Sequence, residues 1–136
     1  MQAIADHLRA HGAEHVKGLE GDAAIPGLDH ARAIVDADGI HSADVVLVPL
    51  EDGDRAAALA EMGKTEIVID LNPLSRSAQV ADVPIVDNVV RAIPAIAKHA
   101  QELAGDEAAQ QAAIDAFDAD EARRAAERAI RSGDLS

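Results

Sequence analysis

The apolar positions of this chain fall into short runs separated by polar stretches that carry glycine and proline. Residues 2–11 place Ile4 and Leu8 on one face of a helix that Gly12 would stop. Val16 to Leu19 fits a short strand, and residues 20–30, with Gly21, Pro26 and Gly27, fit a loop. Leu28, Ala31 and Val35 recur at i, i+3 and i+7, which predicts a helix over 28–38. Val45-Val46-Leu47-Val48 is a continuous run rich in β-branched residues, suited to a strand covered on both faces as in a parallel sheet. Asp52-Gly53-Asp54 then supplies a turn and an N-cap for a helix from Arg55 to Met62, closed by Gly63. Glu66 to Asp70 is the next strand, Leu71 to Ser77 a loop, and Pro84 to Asp87 a third strand. Asn88 caps a helix running to about Leu103, with Pro94 as a kink or break near its first turn.

Strand, helix, strand, loop, strand, helix predicts an α/β fold over residues 1–104: a Rossmann-like parallel sheet with flanking helices. Residues 105–136 read as a separate acidic, Ala-rich helical extension. Within it, 106–132 fits one long or broken helix whose large apolar groups are Ile114, Phe117 and Ile130. No internal repeat is present.

Composition narrows the function classes. With 136 residues the chain is about one domain, and Phe117 is its sole aromatic, so the core is aliphatic and heavy in its 31 alanines. The absence of cysteine excludes disulfides, a thiol nucleophile and Cys-based metal sites. Twenty-five acidic residues against 12 basic ones give a net charge of -13, which repels a nucleic-acid backbone, and no aromatic platform exists for stacking bases. Asp exceeds Glu 16 to 9 and Arg exceeds Lys 9 to 3, a balance that fits a halophilic protein whose self-repulsion is screened by concentrated salt. Asp6 and His7 stand where a signal peptide would be apolar. The run Val45 to Leu50 is far short of the ~20 residues that span a bilayer, so a soluble, cytoplasmic protein is expected.

In open α/β sheets, ligands bind beyond the C-terminal ends of the strands. Three such ends carry polar residues: 49–55, 70–77 and 87–89. Asp70 could accept from a ribose hydroxyl and Asn72 could read a base edge or a ribose. Arg76 and Ser77 could hold a phosphate. Asn88 opens a helix whose first N–H groups could face an anion. Each also fits a plain structural role: a strand-end residue for Asp70, a turn for Asn72-Pro73, an N-cap for Asn88. Glu51, Asp52 and Asp54 could bind Mg²⁺ or simply open a helix. His7, His11 and His15 fit a solvated face better than a metal site, and no Gly-rich dinucleotide fingerprint or P-loop is present.

Three ungapped blocks carry a family resemblance: Val-Pro-Leu-Glu-Asp-Gly-Asp-Arg at 48–55, Ile-Asp-Leu-Asn-Pro-Leu-Ser-Arg-Ser-Ala at 69–78, and Ile-Val-Asp-Asn-Val at 85–89 followed by Arg91-Ala92. Over about residues 3–104 the chain resembles the C-terminal portion of the archaeal 4-phosphopantoate–β-alanine ligase family, also called phosphopantothenate synthetase. The resemblance implies a homodimeric enzyme of coenzyme A biosynthesis. It would join 4-phosphopantoate to β-alanine with ATP, and with Mg²⁺, releasing AMP and diphosphate through an acyl-adenylate. It places ATP contacts on Asp70, Leu71, Asn72, Arg76, Ser77, Asn88 and Val89, with 51–55 as a wall of the site. It also implies a preceding, mostly helical portion that supplies further arginines, so a truncated form with reduced or no activity alone is expected. The alternative is a non-catalytic adenine-nucleotide-binding or dimerisation module.

Overall fold

The computed structural model describes residues 1–29, 31, 33–50 and 53–133. Among these, helix α1 spans Gln2–Ala10, and a small antiparallel pair, β1 (Ala23–Ala24) and β2 (Ile34–Val35), follows. A three-stranded parallel sheet is built from β3 (Val45–Val48), β4 (Thr65–Asp70) and β5 (Val83–Val86), in that spatial order. Helix α2 (Gly53–Glu61) connects β3 to β4, and α3 (Arg76–Val80) connects β4 to β5. Helices α4 (Val89–Glu102), α5 (Glu107–Ala116) and α6 (Ala119–Ser132) complete the chain. No helix among the described residues is long and apolar enough to cross a membrane.

The parallel register explains the burial. Val46 pairs with Glu66 and Val48 with Val68, while Val68 pairs with Pro84 and Asp70 with Val86. Paired residues of neighbouring strands point to the same side of the sheet. That side is the buried one, with α2 and α3 packed against each other and against β4. Ala58 and Leu59 of α2 pack with Val46 on it, and Ile25 and Val35 of the hairpin region close the cluster. On the other side, α4 lies against β4, and Ile69 and Ala92 are buried while Val45 and Leu47 remain exposed. Pro84 is tolerated because β5 lies at the sheet edge. Gly63, at φ +75°, makes the left-handed turn that ends α2 before β4.

Three expectations are corrected. Val16 to Leu19 form no strand, because the strand pairing in this region is made by β1 and β2. The helix expected over 28–38 is not what its described residues 33–36 form: Ile34 and Val35 pair with Ala24 and Ala23, and the Ile25 N–H donates to the Ala33 carbonyl. Here tertiary pairing overrides a three-point periodicity. The loop expected over Leu71 to Ser77 gives way at Arg76 to α3, which is capped by the Ser75 hydroxyl accepting from the Ala78 N–H at 3.0 Å. Of the kink or break expected at Pro94, the break is absent: the helix is continuous from Val89 to Glu102. In the C-terminal segment the helix is broken, at Phe117, with Asp118 capping α6 through the Glu121 N–H. Helix α6 lies against β5, and Arg123 donates through Nη1 to the carbonyls of Ala78 and Ala81 at 3.0 and 3.4 Å.

Glu66 is fully buried on the covered face of β4, and neither carboxyl oxygen has a hydrogen-bond partner among the described residues. Burial, and then the neighbouring Asp82 carboxylate, push its pKa up to about 7. An unpaired buried charge is costly, so the folded chain holds this proton more tightly than the unfolded one. The stabilisation is present in full below the ordinary value of 4.5 and is lost as pH rises through about 7. Glu66→Gln should therefore match the parent at pH 4 and exceed it at pH 8 by up to roughly 3 kcal/mol in urea unfolding. Parallel stability curves for the two proteins across that range would contradict the assignment.

Candidate functional site

At the C-terminal edge of the sheet the chain leaves β4 at Asp70 and β5 at Val86. The loop after β4 is fixed by its own side chains. Asp70 accepts from the Asn72 N–H at 2.9 Å through one oxygen and from the Ser75 hydroxyl at 2.5 Å through the other. Asn72 accepts from the Leu74 N–H at 3.0 Å, and Gln79 donates to the Pro73 carbonyl at 2.9 Å. Short polar side chains that bond backbone two residues on are what make Asp and Asn good turn formers. The outcome is a loop whose shape is set from the strand end.

The second stretch is organised in the same way. Asn88 caps α4, its side-chain oxygen accepting from the Val90 N–H at 2.9 Å. Asp87 accepts from the Asn88 N–H at 2.6 Å and from Nε of Arg91 at 2.8 Å, and also takes Nη2 of Arg91. The Arg91 guanidinium, and secondarily the Asn88 N–H, hold the Asp87 carboxyl below the usual range. The Asn88 cap therefore uses one of the N–H groups that the sequence offered to an anion.

The two stretches share one hollow. Pro49, Leu50, Ile69, Asp70, Leu71, Asp87, Asn88 and Val89 line a cavity of about 210 Å³. Four sequence candidates, Asp70, Leu71, Asn88 and Val89, meet there. Asn72, Arg76 and Ser77 are not among its lining residues. Ser77 is fully buried in α3, whereas Arg76 is exposed and pairs through Nη1 with Asp54 at 2.9 Å. Asp54, proposed for Mg²⁺, thus faces a guanidinium, and Glu51 and Asp52 lie outside the described residues. No group of three or more His, Asp or Glu among the described residues could hold a metal ion. Asp87, Pro49 and Leu50 also line the hollow and were not singled out as ligand contacts; for Asp87 the signal was its place, directly after the third strand.

The hollow is smaller than the ~300–1,000 Å³ of whole-ligand pockets, so it suits one portion of a larger molecule. Its walls are aliphatic and its polar groups are the Asp70 carboxylate, the Asp87 carboxylate paired with Arg91, and the Asn88 amide, whose oxygens accept from hydroxyl and amino groups. Roomier hollows lie elsewhere. One of about 520 Å³ is lined by Asp29, Asp54 and Glu61 among others, an unfavourable setting for an anion.

Removing the Asp70 carboxylate should loosen this end of the sheet. We expect Asp70→Ala to lose about 1–3 kcal/mol of stability and to raise amide exchange at Asn72 and Ala78 more than at Val46. Uniform exchange across all three would contradict the anchoring role.

Comparison with known proteins identifies the family. A family model described as phosphopantothenate/pantothenate synthetase matches residues 1–133, past the point near 104 where the sequence resemblance ended. The 4-phosphopantoate–β-alanine ligase of Thermococcus onnurineus is 55% identical over 104 residues, 76% of this chain and 40% of the relative. That of Thermococcus kodakarensis is 53% identical over 104 residues, with the same shares. The Methanospirillum hungatei ligase is 55% identical over 107 residues, 79% of this chain and 43% of the relative. The chain thus spans about two-fifths of the length of the curated relatives it matches. With nearly its whole length matched by the family model, the chain belongs to the phosphopantothenate/pantothenate synthetase family.

Proposed function

We propose that this chain is the nucleotide-binding portion of an ATP-dependent ligase that joins 4-phosphopantoate to β-alanine. The products are 4'-phosphopantothenate, AMP and diphosphate. The relatives' names supply the two organic substrates. The observation that carries the nucleotide part is the single hollow between the ends of β4 and β5, lined by Asp70, Leu71, Asn88 and Val89.

The chemistry divides along the charge of the site. An adenosine moiety is uncharged, with ribose hydroxyls that donate and a base with apolar faces. A carboxylate has about four lone-pair sites, so Asp70 can hold its loop and still accept a ribose hydroxyl. Leu50 and Leu71, both exposed at the rim, offer apolar surface to the base. The triphosphate is disfavoured beside the Asp70 carboxylate, whereas Asp87 is paired with Arg91, and it is directed toward Arg76 at the start of α3, past Asn72 in the connecting loop. Mg²⁺, brought by the ATP phosphates, would neutralise their charge, a mode that needs no protein cluster of ligands, and none is present among the described residues.

In the reaction a carboxylate oxygen of 4-phosphopantoate attacks the α-phosphorus, and the bond to diphosphate breaks. The amine of β-alanine then attacks the acyl carbon, AMP leaves with the carbon–oxygen bond electrons, and the amine proton passes to solvent. Adenylation is needed because a carboxylate oxygen is a poor leaving group. The chain's contribution is to hold the nucleotide in place and to set cationic charge near the phosphates. A homodimer and a cytoplasmic setting accord with this reading, and the exposed Val45 and Leu47 on edge strand β3 leave apolar surface for a second copy.

Because the chain spans two-fifths of its relatives, the binding and turnover predictions separate. Calorimetry with ATP–Mg²⁺ should show binding by the 136-residue chain, weakened about tenfold or more in Arg76→Ala, as for a lost charge-assisted bond. An AMP-release assay with all three substrates should show little turnover by the chain alone. No heat with the parent, or an unchanged Arg76→Ala, removes the nucleotide claim, and full turnover by the chain alone removes the partial-site claim.

A further inference from the structure

We infer that Asp54 is a positioning residue for Arg76, holding the guanidinium away from the nucleotide until a phosphate displaces the carboxylate; this rests on the nucleotide reading above. Asp54 lies in the first turn of α2, the helix that follows β3, and Arg76 is the first residue of α3, which follows β4. Their ion pair, Nη1 to Oδ1 at 2.9 Å, joins the starts of the two crossover helices, which follow the C-terminal ends of β3 and β4, and Asp54 also lines the larger acidic hollow with Asp29 and Glu61.

Asp54 takes the guanidinium through Nη1, and a phosphate seeking a two-point contact on the same planar group competes with it for that donor. Both side chains are open to water, 75% exposed for Arg76 and 53% for Asp54. Exposed pairs of this kind hold weakly, so a polyphosphate carrying several charges can displace the carboxylate at small cost. The pair has a second consequence. While Asp54 is in place, Arg76 presents no net positive charge to an approaching anion, and the surroundings at -13 overall stay repulsive. Asp54 therefore tunes the affinity of the phosphate tail and leaves the adenosine contacts, which lie on the β4 and β5 ends, untouched.

The test compares ATP and adenosine binding by calorimetry in the parent, Asp54→Asn, Arg76→Ala and the double variant, with Asp54→Ser as a second replacement and thermal unfolding as the folding control. Asp54→Asn and Asp54→Ser should each tighten ATP about two- to fivefold and leave adenosine unchanged, and the Asp54 change should have no effect once Arg76 is alanine. An unchanged ATP affinity, or equal tightening in the Arg76→Ala background, which would mark simple removal of a negative charge, overturns the inference while the nucleotide reading stands. Failure of the parent to bind ATP removes that reading, and this one with it.

Discussion

Both oxygens of Asp70 are committed to the loop that follows it, one to the Asn72 N–H and one to the Ser75 hydroxyl. That double acceptance joins the last residue of the central strand to the cap of α3. Ser75 passes the constraint on by accepting from the Ala78 N–H, and Arg123 of α6 donates to the carbonyl of the same Ala78. The position of Leu71, the start of α3 and the seat of the C-terminal helix all follow from it. The parallel register of β4 with β5, which sets Asp70 opposite Val86, then brings the β4 loop beside Asp87, Asn88 and Val89.

Charge distribution divides the molecule. The hollow carries two carboxylates in aliphatic walls, while Arg76 stands outside its lining, paired with Asp54. At the opposite end of β4, four residues and about 13 Å of strand away, Glu66 is buried beside Asp82. The first arrangement keeps both partners of an ion pair open to water, 75% exposed for Arg76 and 53% for Asp54, where a ligand could exchange with one of them. The second makes the cover of the sheet dependent on a proton and is remote from the hollow, so the two are separable in experiment.

The parallel sheet was legible because each strand has a short apolar run bounded by polar or turn residues: Val45 to Val48, Ile67 to Ile69 within the expected Glu66–Asp70, and Pro84 to Val86 within the expected Pro84–Asp87. The β1–β2 pair was not. Its strands are two residues each, one of them Ala-Ala, and its spacing of Leu28, Ala31 and Val35 matches a helix as well. Such a pair exists only through partners distant in sequence, which periodicity does not encode. Helix α3 is five residues long, too short for a period to register. The break before α6 did carry a local signal, Asp118 followed three residues later by Glu121, the pattern of an N-terminal cap. At the site, residue type and place after a strand marked Asp70 and Asn88 as residues of interest. Their hydrogen bonds to their own loops, and the pairing of Arg76 with Asp54, depend on side-chain direction and were legible only in three dimensions.

The account turns on whether the β4 and β5 strand ends receive one nucleotide together. The direct measurement is a titration of the isotope-labelled 136-residue chain with ATP–Mg²⁺, following backbone amide resonances. Concerted shifts at Asp70 to Ser77 and at Asn88 and Val89, saturating at the same ATP concentration while Glu66 and the hairpin at Ala23 and Val35 stay still, are the predicted result. Shifts confined to one of the two stretches, or centred on another hollow, would contradict it.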